Sequence, residues 1–286
     1  MTANKYPLIK REKIDDSAAI EYLLYEGSGP TILFLHGTGF LPWIWHPIAR
    51  RLNNEYRIIV PYFCDHRDAE PEEGGLKWKI LADDFCKFCH NLDIRNPYLV
   101  AHSMGATVIT IAASIDPVLP KRMILMEPIF LPEEVYSTNM RVDQHPLASK
   151  SIKRRNEWKD RREAREYLMS RVLYKNWDVE ALDIFLHHGM VENSTGSITL
   201  ACSPRREASI FMGGLHFNPW PVLSGIQCPV LVLEGAESEN GTFIDLRKAV
   251  SLIPRGEYRL LAGVGHTIPM ERPEEIAAII REFYHS

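Results

Sequence analysis

The stretch Tyr98-Leu99-Val100-Ala101-His102-Ser103-Met104-Gly105 decides how this chain is expected to fold. A short, β-rich apolar run feeds Ser103, and the apolar residues 106–114 have the character of a helix. A strand that turns sharply into a helix lifts the serine Oγ out of the backbone and into a cleft. Such a turn is strained and favours small neighbours; here Gly105 follows, and Ala101 stands where the usual pattern has glycine. The stretch therefore predicts a serine nucleophile between a buried strand and a helix.

Runs with the character of strands alternate with helical segments along most of the chain. The predicted strands are 20–25, 31–35, 56–60, 98–101, 121–126, 230–233 and 257–261, and the predicted helices are 45–52, 77–92, 104–115, 242–252 and 273–284. This alternation indicates a mostly parallel sheet that is covered by helices on both faces.

The alternation is interrupted over residues 128–227, where the sequence changes character. Helical patterns occur there at 151–171, 177–188 and 205–212. Acidic side chains interleave with the basic ones, so this surface is expected to be a solvated helix face and not a nucleic-acid site. We predict a core formed by residues 1–127 and 228–286, with a helical cap, or lid, inserted at 128–227.

Composition and charge exclude several classes of protein. The chain has 286 residues, 45% of them hydrophobic, which is enough for one sizeable core with an inserted subdomain. Its net charge of −4 gives no sign of a nucleic-acid partner. Residues 1–13 lack the apolar region of a signal peptide, and no run approaches the roughly 18 apolar residues of a membrane span. We therefore expect a cytoplasmic protein without a membrane partner.

The five cysteines do not point to a disulfide framework, since their number is odd and the chain is not small. Cys86-Lys87-Phe88-Cys89-His90 matches the haem-attachment pattern. Both of its cysteines fall on the apolar stripe of a predicted helix, so we interpret them as buried thiols. His187 and His188 would point about 100° apart on a helix, which is poor spacing for an ion. No metal and no cofactor are predicted.

Two further motifs stand at compatible places. His36-Gly37-Thr38-Gly39 follows one predicted strand, and Gly263-Val264-Gly265-His266 precedes the last helix. With the serine turn between them, residues 20–285 or so resemble the α/β-hydrolase superfamily, in particular its capped, serine-dependent esterases and lipases. The turn itself is similar to that of small bacterial lipases. The resemblance implies an eight-stranded, mostly parallel sheet and the order serine, acid, histidine along the chain.

The resemblance also implies a nucleophile and a base. A serine hydroxyl is too weakly acidic to attack a carbonyl unaided at neutral pH, so Ser103 needs a base within hydrogen-bond reach. In the resembling family that base is the histidine of the late glycine-rich loop, which is His266 here. His36 and His102 are interpreted as structural neighbours of the serine turn, and His102 is also expected to border the substrate.

The carboxylate that would orient His266 has three candidates at two places in the chain. In the resembling family it usually follows the seventh strand, three residues after a glycine, but that position is Ser238 here. Its neighbour Glu239 is one candidate, and Glu237 is a weaker one. The other is Glu127, at the end of the strand beside the serine strand, where haloalkane dehalogenases and related luciferases place their acid. Glu127 is favoured and Glu239 is the alternative.

The oxyanion of an acyl-transfer reaction needs fixed N–H donors. The expected donors are the Met104 N–H at a helix N-terminus and the Thr38 N–H, with Gly39 less favoured than Thr38. The apolar run 40–45 either packs beneath the cap or lines an acyl pocket. Substrate contacts are expected from Gly37, Phe40, Trp43 and His102.

These roles predict a serine hydrolase that cleaves a small carboxylic ester through an acyl-enzyme and needs no cofactor. Lactone, thioester and carbon–carbon bond hydrolysis are alternatives on the same residues. A non-catalytic receptor for a small ligand, or non-hydrolytic chemistry, also fits, because fold does not decide function. The chain is expected to be a monomer or a homodimer.

Overall fold

The computed structural model describes residues 6–63, 65–115 and 120–286. Its strands in chain order are β1 (Leu8–Lys13), β2 (Ala19–Tyr25), β3 (Thr31–Leu35), β4 (Arg57–Pro61), β5 (Tyr98–His102), β6 (Arg122–Met126), β7 (Met190–Glu192), β8 (Ile198–Leu200), β9 (Val230–Gly235) and β10 (Gly256–Leu261). Its helices are α1 (His46–Leu52), α2 (Trp78–Asn91), α3 (Met104–Ile115), α4 (Pro146–Lys153), α5 (Arg161–Met169), α6 (Val179–His188), α7 (Pro204–Gly213), α8 (Leu246–Leu252), α9 (Ile268–Glu271) and α10 (Pro273–His285).

One sheet contains eight strands in the order β1-β2-β4-β3-β5-β6-β9-β10. β2 pairs antiparallel with β1 and with β4, and the remaining neighbours are parallel. The predicted eight-stranded, mostly parallel sheet is therefore confirmed. Because β3, β5, β6 and β9 are parallel neighbours, their carboxyl ends meet at one edge, where α/β sheets bind ligands.

Both faces of the sheet are buried because successive side chains of the central strands alternate between two apolar cores. In β3, Leu33 and Leu35 belong to one core, whereas Ile32 and Phe34 belong to the other. α2, α3 and α8 complete the first core, and α1, α10, α5 and α6 complete the second. The predicted covering of the sheet by helices on both faces is confirmed.

Residues 128–227, here called the inserted segment, lie between β6 and β9. They contain α4 to α7 and the antiparallel hairpin of β7 and β8. α6 and α7 correspond to the helices predicted at 177–188 and 205–212. The assignment of this segment as a separate cap domain stays a prediction.

The helix predicted over 151–171 is wrong as a continuous element. α4 ends at Lys153, and the Trp158 backbone then pairs with Ile198 of β8. Asp160 caps the N-terminus of α5, because its carboxylate accepts the N–H of Glu163 at 2.8 Å. The charge pattern has helical spacing on both sides of this break and does not reveal it.

Cys86 and Cys89 are buried on the face of α2 that packs against α3, as the apolar stripe predicts. Cys64 lies outside the described residues. Across residues 6–63, 65–115 and 120–286, no helix has both the length and the apolar character needed to cross a bilayer.

Candidate active site

Ser103 occupies the turn that joins β5 to α3. Its φ of 54° places the backbone in the left-handed region, as a sharp strand-to-helix turn requires. Its N–H donates to the Met126 carbonyl of β6 at 2.9 Å. A Cβ at Gly105 would stand 2.7 Å from the His36 carbonyl oxygen, so this position has no room for a side chain. Close packing of backbones around the turn explains the small residues beside the serine.

His266 lies in the loop between β10 and α9, next to the serine. Its Nε2 is 3.1 Å from Ser103 Oγ, and its side chain is 24% exposed. His102 Nε2 donates to the His266 backbone carbonyl at 2.9 Å. His102 therefore holds the backbone of His266 in place, and the His266 ring in turn contacts Ser103.

Glu127 completes a chain of three side chains. It follows β6, and its Oε2 lies 3.0 Å from His266 Nδ1. Oε1 accepts the Gly235 N–H at 2.7 Å, and Oε2 accepts the Ser238 hydroxyl at 2.7 Å. The Glu127 side chain is fully buried. These donors satisfy a buried carboxylate and fix it against the imidazole.

The structure does not bring the alternative acid into this chain of contacts. Glu239 is exposed at the start of a 3-10 turn, and Glu237 is exposed as well. Among the described residues, neither carboxylate hydrogen-bonds to His266. The loop after β9 contributes Ser238 to Glu127 instead.

A buried set of hydrogen bonds ties the His266 loop to the inserted segment. Trp177 Nε1 donates to Thr267 Oγ1 at 3.0 Å, and the Thr267 hydroxyl donates to Glu271 at 2.8 Å. Glu271 also accepts the Gly265 N–H at 3.1 Å. Sequence reasoning missed Glu271, because one acidic residue near a helix carries no signal of this role.

The two other histidines near the serine are buried and serve the backbone. His36 Nδ1 donates to the Gly37 carbonyl at 2.8 Å, and His36 Nε2 accepts the Phe63 N–H at 3.1 Å. Burial lowers the pKa of His36 to about 4 and holds the pKa of His102 well below its ordinary value. Both rings are therefore neutral near pH 7, and both brace loops of the site.

The loop of residues 37–39 passes directly beside the serine. A Cβ at Gly37 would lie 3.1 Å from Ser103 Cβ and 2.8 Å from His102 Nδ1, so the backbone can come this close only without a side chain. Thr38 is buried. Met104 is the first residue of α3, so its N–H has no acceptor within the helix. These positions are those expected to hold an oxyanion.

The apolar run 40–45 divides between two environments. The Phe40 ring lies 5.9 Å from that of His102, between centroids, and 5.6 Å from that of Trp177 in the inserted segment. Trp43 instead stacks on His188 with a centroid distance of 3.7 Å, and Trp45 packs on Phe34 at 4.8 Å. Phe40 thus contacts a neighbour of the serine, and both Phe40 and Trp43 pack against the inserted segment.

A partly buried ion pair lies at the other end of the 37–39 loop. Arg154 Nη1 is 2.8 Å from both carboxylate oxygens of Glu207 in α7. A Cβ at Gly39 would stand 2.6 Å from Glu207 Oε1, so the carboxylate packs against the loop backbone. Burial raises the pKa of Glu207. Sequence reasoning placed no residue of this pair near the site.

Two further kinds of binding site would be a groove outside the site and a cluster of metal ligands. A groove of about 800 Å³ runs between residues 71–74, residues 138–143 and α4, and its lining includes none of the site residues named above. Within the part of the chain that the structure describes, no three His, Cys, Asp or Glu side chains converge as a metal site requires.

Comparison with known proteins identifies a family and several relatives that this chain resembles. A sequence model described as "Alpha/beta hydrolase family" matches residues 32–279. The 2-(acetamidomethylene)succinate hydrolase of Mesorhizobium japonicum is 25% identical over 260 residues, which are 90% of this chain and 89% of that protein. An sn-1-specific diacylglycerol lipase of Xenopus laevis is 23% identical over 272 residues, which are 93% of this chain and 84% of that protein.

Solved structures show the same fold. An E-2-(acetamidomethylene)succinate hydrolase superposes with a TM-score of 0.81 at 21% identity, covering 98% of this chain and 100% of that one. The thioesterase domain of a curacin biosynthetic pathway gives a TM-score of 0.77 at 20% identity, covering 96% of this chain and 99% of that one.

Proposed function

Because this chain belongs to the alpha/beta hydrolase family, we propose that it is a serine hydrolase that cleaves a carboxylic ester through an acyl-enzyme. The observation that carries the proposal is the contact chain from Ser103 Oγ to His266 Nε2 at 3.1 Å and from His266 Nδ1 to Glu127 Oε2 at 3.0 Å. Nucleophile, base and orienting carboxylate in this order are the arrangement that activates a serine.

In the first half of the reaction, His266 Nε2 takes the Ser103 proton while Oγ bonds to the ester carbonyl carbon. Glu127 stabilises the imidazolium and keeps the hydrogen of the neutral ring on Nδ1. The N–H groups of Met104 and Thr38 stabilise the oxyanion, and each such donor is typically worth about 3 kcal/mol of transition-state stabilisation. When the tetrahedral intermediate collapses, the carbon–oxygen bond to the alcohol breaks and His266 protonates the leaving oxygen.

In the second half, water replaces the alcohol beside His266. The imidazole takes one proton from the water as its oxygen bonds to the acyl carbon, and the second intermediate releases the acid and returns the proton to Ser103. The inserted segment is proposed to act as the cap, since Trp177 contacts both Phe40 and Thr267. No step requires a cofactor.

The relatives support the assignment of this chain as a hydrolase, but they do not restrict its substrate to an ester. One relative is named for hydrolysis of an acetamidomethylene succinate and another for a diacylglycerol. Lactone, thioester and carbon–carbon bond cleavage therefore remain alternatives on the same three residues. A receptor that binds a small ligand without catalysis is the alternative outside the enzymes.

The test compares hydrolysis of p-nitrophenyl acetate and butyrate by the wild type and by Ser103→Ala. We expect the substitution to abolish turnover and to abolish labelling of the protein by a fluorophosphonate. Ser149→Ala, which removes a partly exposed hydroxyl from α4, is the matched control and should retain both. Turnover that survives in Ser103→Ala would overturn the proposal, and a wild type that neither turns over nor labels would favour the receptor.

A further inference from the structure

Asn240 is a second side chain, beside Glu127, that contacts Nδ1 of the His266 ring. Its amide nitrogen lies 3.0 Å from His266 Nδ1 and 3.5 Å from Glu127 Oε2. Its backbone is fixed in the turn after β9, because the N–H donates to Ser238 Oγ at 3.3 Å and the carbonyl accepts the Ile244 N–H at 2.8 Å. The side chain is partly buried. Its position beside the ring is therefore set by the fold.

The chemistry of the ring decides which end of the amide faces it. Glu127 can only accept, so the carboxylate at 3.0 Å places the hydrogen of the neutral imidazole on Nδ1. A second donor aimed at that N–H would repel it. The two ends of an Asn amide exchange places on a rotation of 180°, which presents oxygen to Nδ1 with almost no change in shape. The rotation gives up the longer contact of the amide nitrogen with Glu127 Oε2 at 3.5 Å in exchange for the shorter one with the ring.

We propose that Asn240 is a positioning residue that offers His266 Nδ1 a second, uncharged acceptor beside Glu127. The proposal rests on the proposed function, because it assigns a role within the same reaction. An uncharged side chain there leaves one negative charge at the ring.

The charge next to the His266 ring is set by Glu127 and residue 240, because the other groups around the ring are uncharged or contact other atoms. Ser103 faces Nε2 and is uncharged. His102 lies 4.9 Å away between ring centroids and is neutral, because burial lowers its pKa. Glu271 contacts the backbone of Gly265 and the Thr267 hydroxyl. Among the described residues, Glu127 is the one carboxylate that hydrogen-bonds to the ring.

The first experiment follows kcat/KM for p-nitrophenyl acetate against pH in Asn240→Asp. A carboxylate at this distance stabilises the imidazolium, so we expect the acid limb to move up by about one pH unit, or about tenfold in proton concentration. Thr242→Asp adds the same charge at an exposed position of the same loop and should leave the limb within a few tenths of a unit.

The second experiment asks whether residue 240 can replace the carboxylate. Glu127→Gln combined with Asn240→Asp is expected to be at least about tenfold faster than Glu127→Gln alone. Glu127→Gln combined with Asn240→Ala should show no such recovery. A structural role for Asn240 would not produce this difference, since both double variants alter the same turn.

A readout without turnover separates this inference from the proposed function. The pH titration of the His266 imidazole ¹⁵N resonances should occur about one pH unit higher in Asn240→Asp than in the wild type, whether or not esters are cleaved. Thermal melts identify variants that fail to fold, and Asn240→Ser, which keeps an uncharged acceptor, then serves for comparison with Asn240→Ala. An unchanged titration in Asn240→Asp together with no recovery in the double variant would overturn the inference. Activity that survives in Ser103→Ala would overturn the proposed function instead.

Discussion

At the residue scale, two side chains of the site stand on strained backbone. Ser103 and Glu127 have φ values of 54° and 52°, in a region that costs an ordinary residue about 1–2 kcal/mol. Each follows a parallel strand and donates its N–H across to the next strand, to Met126 and Leu233 respectively, at 2.9 Å. The same device, repeated on neighbouring strands, holds both side chains at His266.

Glu127→Gln tests the assignment of the carboxylate. The amide keeps the size of the side chain but cannot stabilise an imidazolium by charge, so kcat should fall by about 10³-fold or more with little change in KM. Steady-state kinetics on p-nitrophenyl butyrate measure this. Glu239→Gln removes an exposed charge from the neighbouring loop and is expected to stay near the wild-type rate. The opposite pattern would transfer the role to Glu239.

Local motifs predicted Ser103 and His266 because a few adjacent residues set the geometry of each turn. The carboxylate depends on where three separate loops meet, and distance along the chain does not determine that. Glu239 is adjacent to Asn240, yet the 3-10 turn exposes the first and aims the second at the ring. A search for charged residues also passes over a neutral amide, so Asn240 left no signal in the sequence.

At the element scale, the central strands were predictable because they are apolar on both faces and bounded by turns. β1 was missed, since its polar sequence is largely exposed and the strand pairs with β2 through its backbone along its whole length. The helix predicted from residue 242 begins at Leu246, because Asp245 caps it by accepting the Lys248 N–H at 2.8 Å. In both places a contact with the backbone fixes where the element forms, and the periodicity of the side chains does not reveal it.

The pair of Arg154 and Glu207 joins the end of α4 and α7 to the 37–39 loop. Arg154→Met would leave a buried carboxylate without its partner. We expect the free energy of unfolding to fall by about 2 kcal/mol, which is less than for a fully buried pair because the Arg154 side chain is 26% exposed. Thermal melts should show a drop of several degrees. Adding Glu207→Gln removes the unpaired charge and should recover part of that loss.

Arg205→Met provides the matched control for this pair. Arg205 pairs with Glu72 at 2.6 Å, but both side chains are more than half exposed, so its loss should hardly change the melting temperature. If the double variant Arg154→Met, Glu207→Gln melts no higher than Arg154→Met, the lost stability is not due to a buried charge.

At the scale of the whole molecule, the sheet edge is assembled around histidines that must stay neutral. His36 and His102 brace the loops of the site, and His46 at the start of α1 hydrogen-bonds to the Tyr25 hydroxyl at the end of β2 at 2.8 Å. Burial lowers the pKa of His36 and His46 to about 4, and that of His102 well below its ordinary value. In the unfolded chain each would titrate near pH 6.5.

Folding stability should therefore fall as the pH is lowered from about 6.5 toward 4. In that window the unfolded chain binds more protons than the folded one, so the free energy of unfolding rises with pH. Each buried histidine contributes a slope of about 1.4 kcal/mol per pH unit, and the three together contribute about 4. Urea unfolding at pH 7 and at pH 5.5 should show a midpoint that drops sharply at the lower pH.

His46→Gln isolates one of these contributions. Glutamine can still hydrogen-bond to the Tyr25 hydroxyl but does not titrate, so the slope below pH 6.5 should decrease by about 1.4 kcal/mol per pH unit. His187→Gln removes an exposed histidine and should leave the slope unchanged. A stability that is flat between pH 6.5 and 5, or a slope that is the same in His46→Gln as in the wild type, would contradict the neutral-histidine account. In that case the histidines accept protons inside the fold, and the loops around Ser103 tolerate charge that their buried surroundings disfavour.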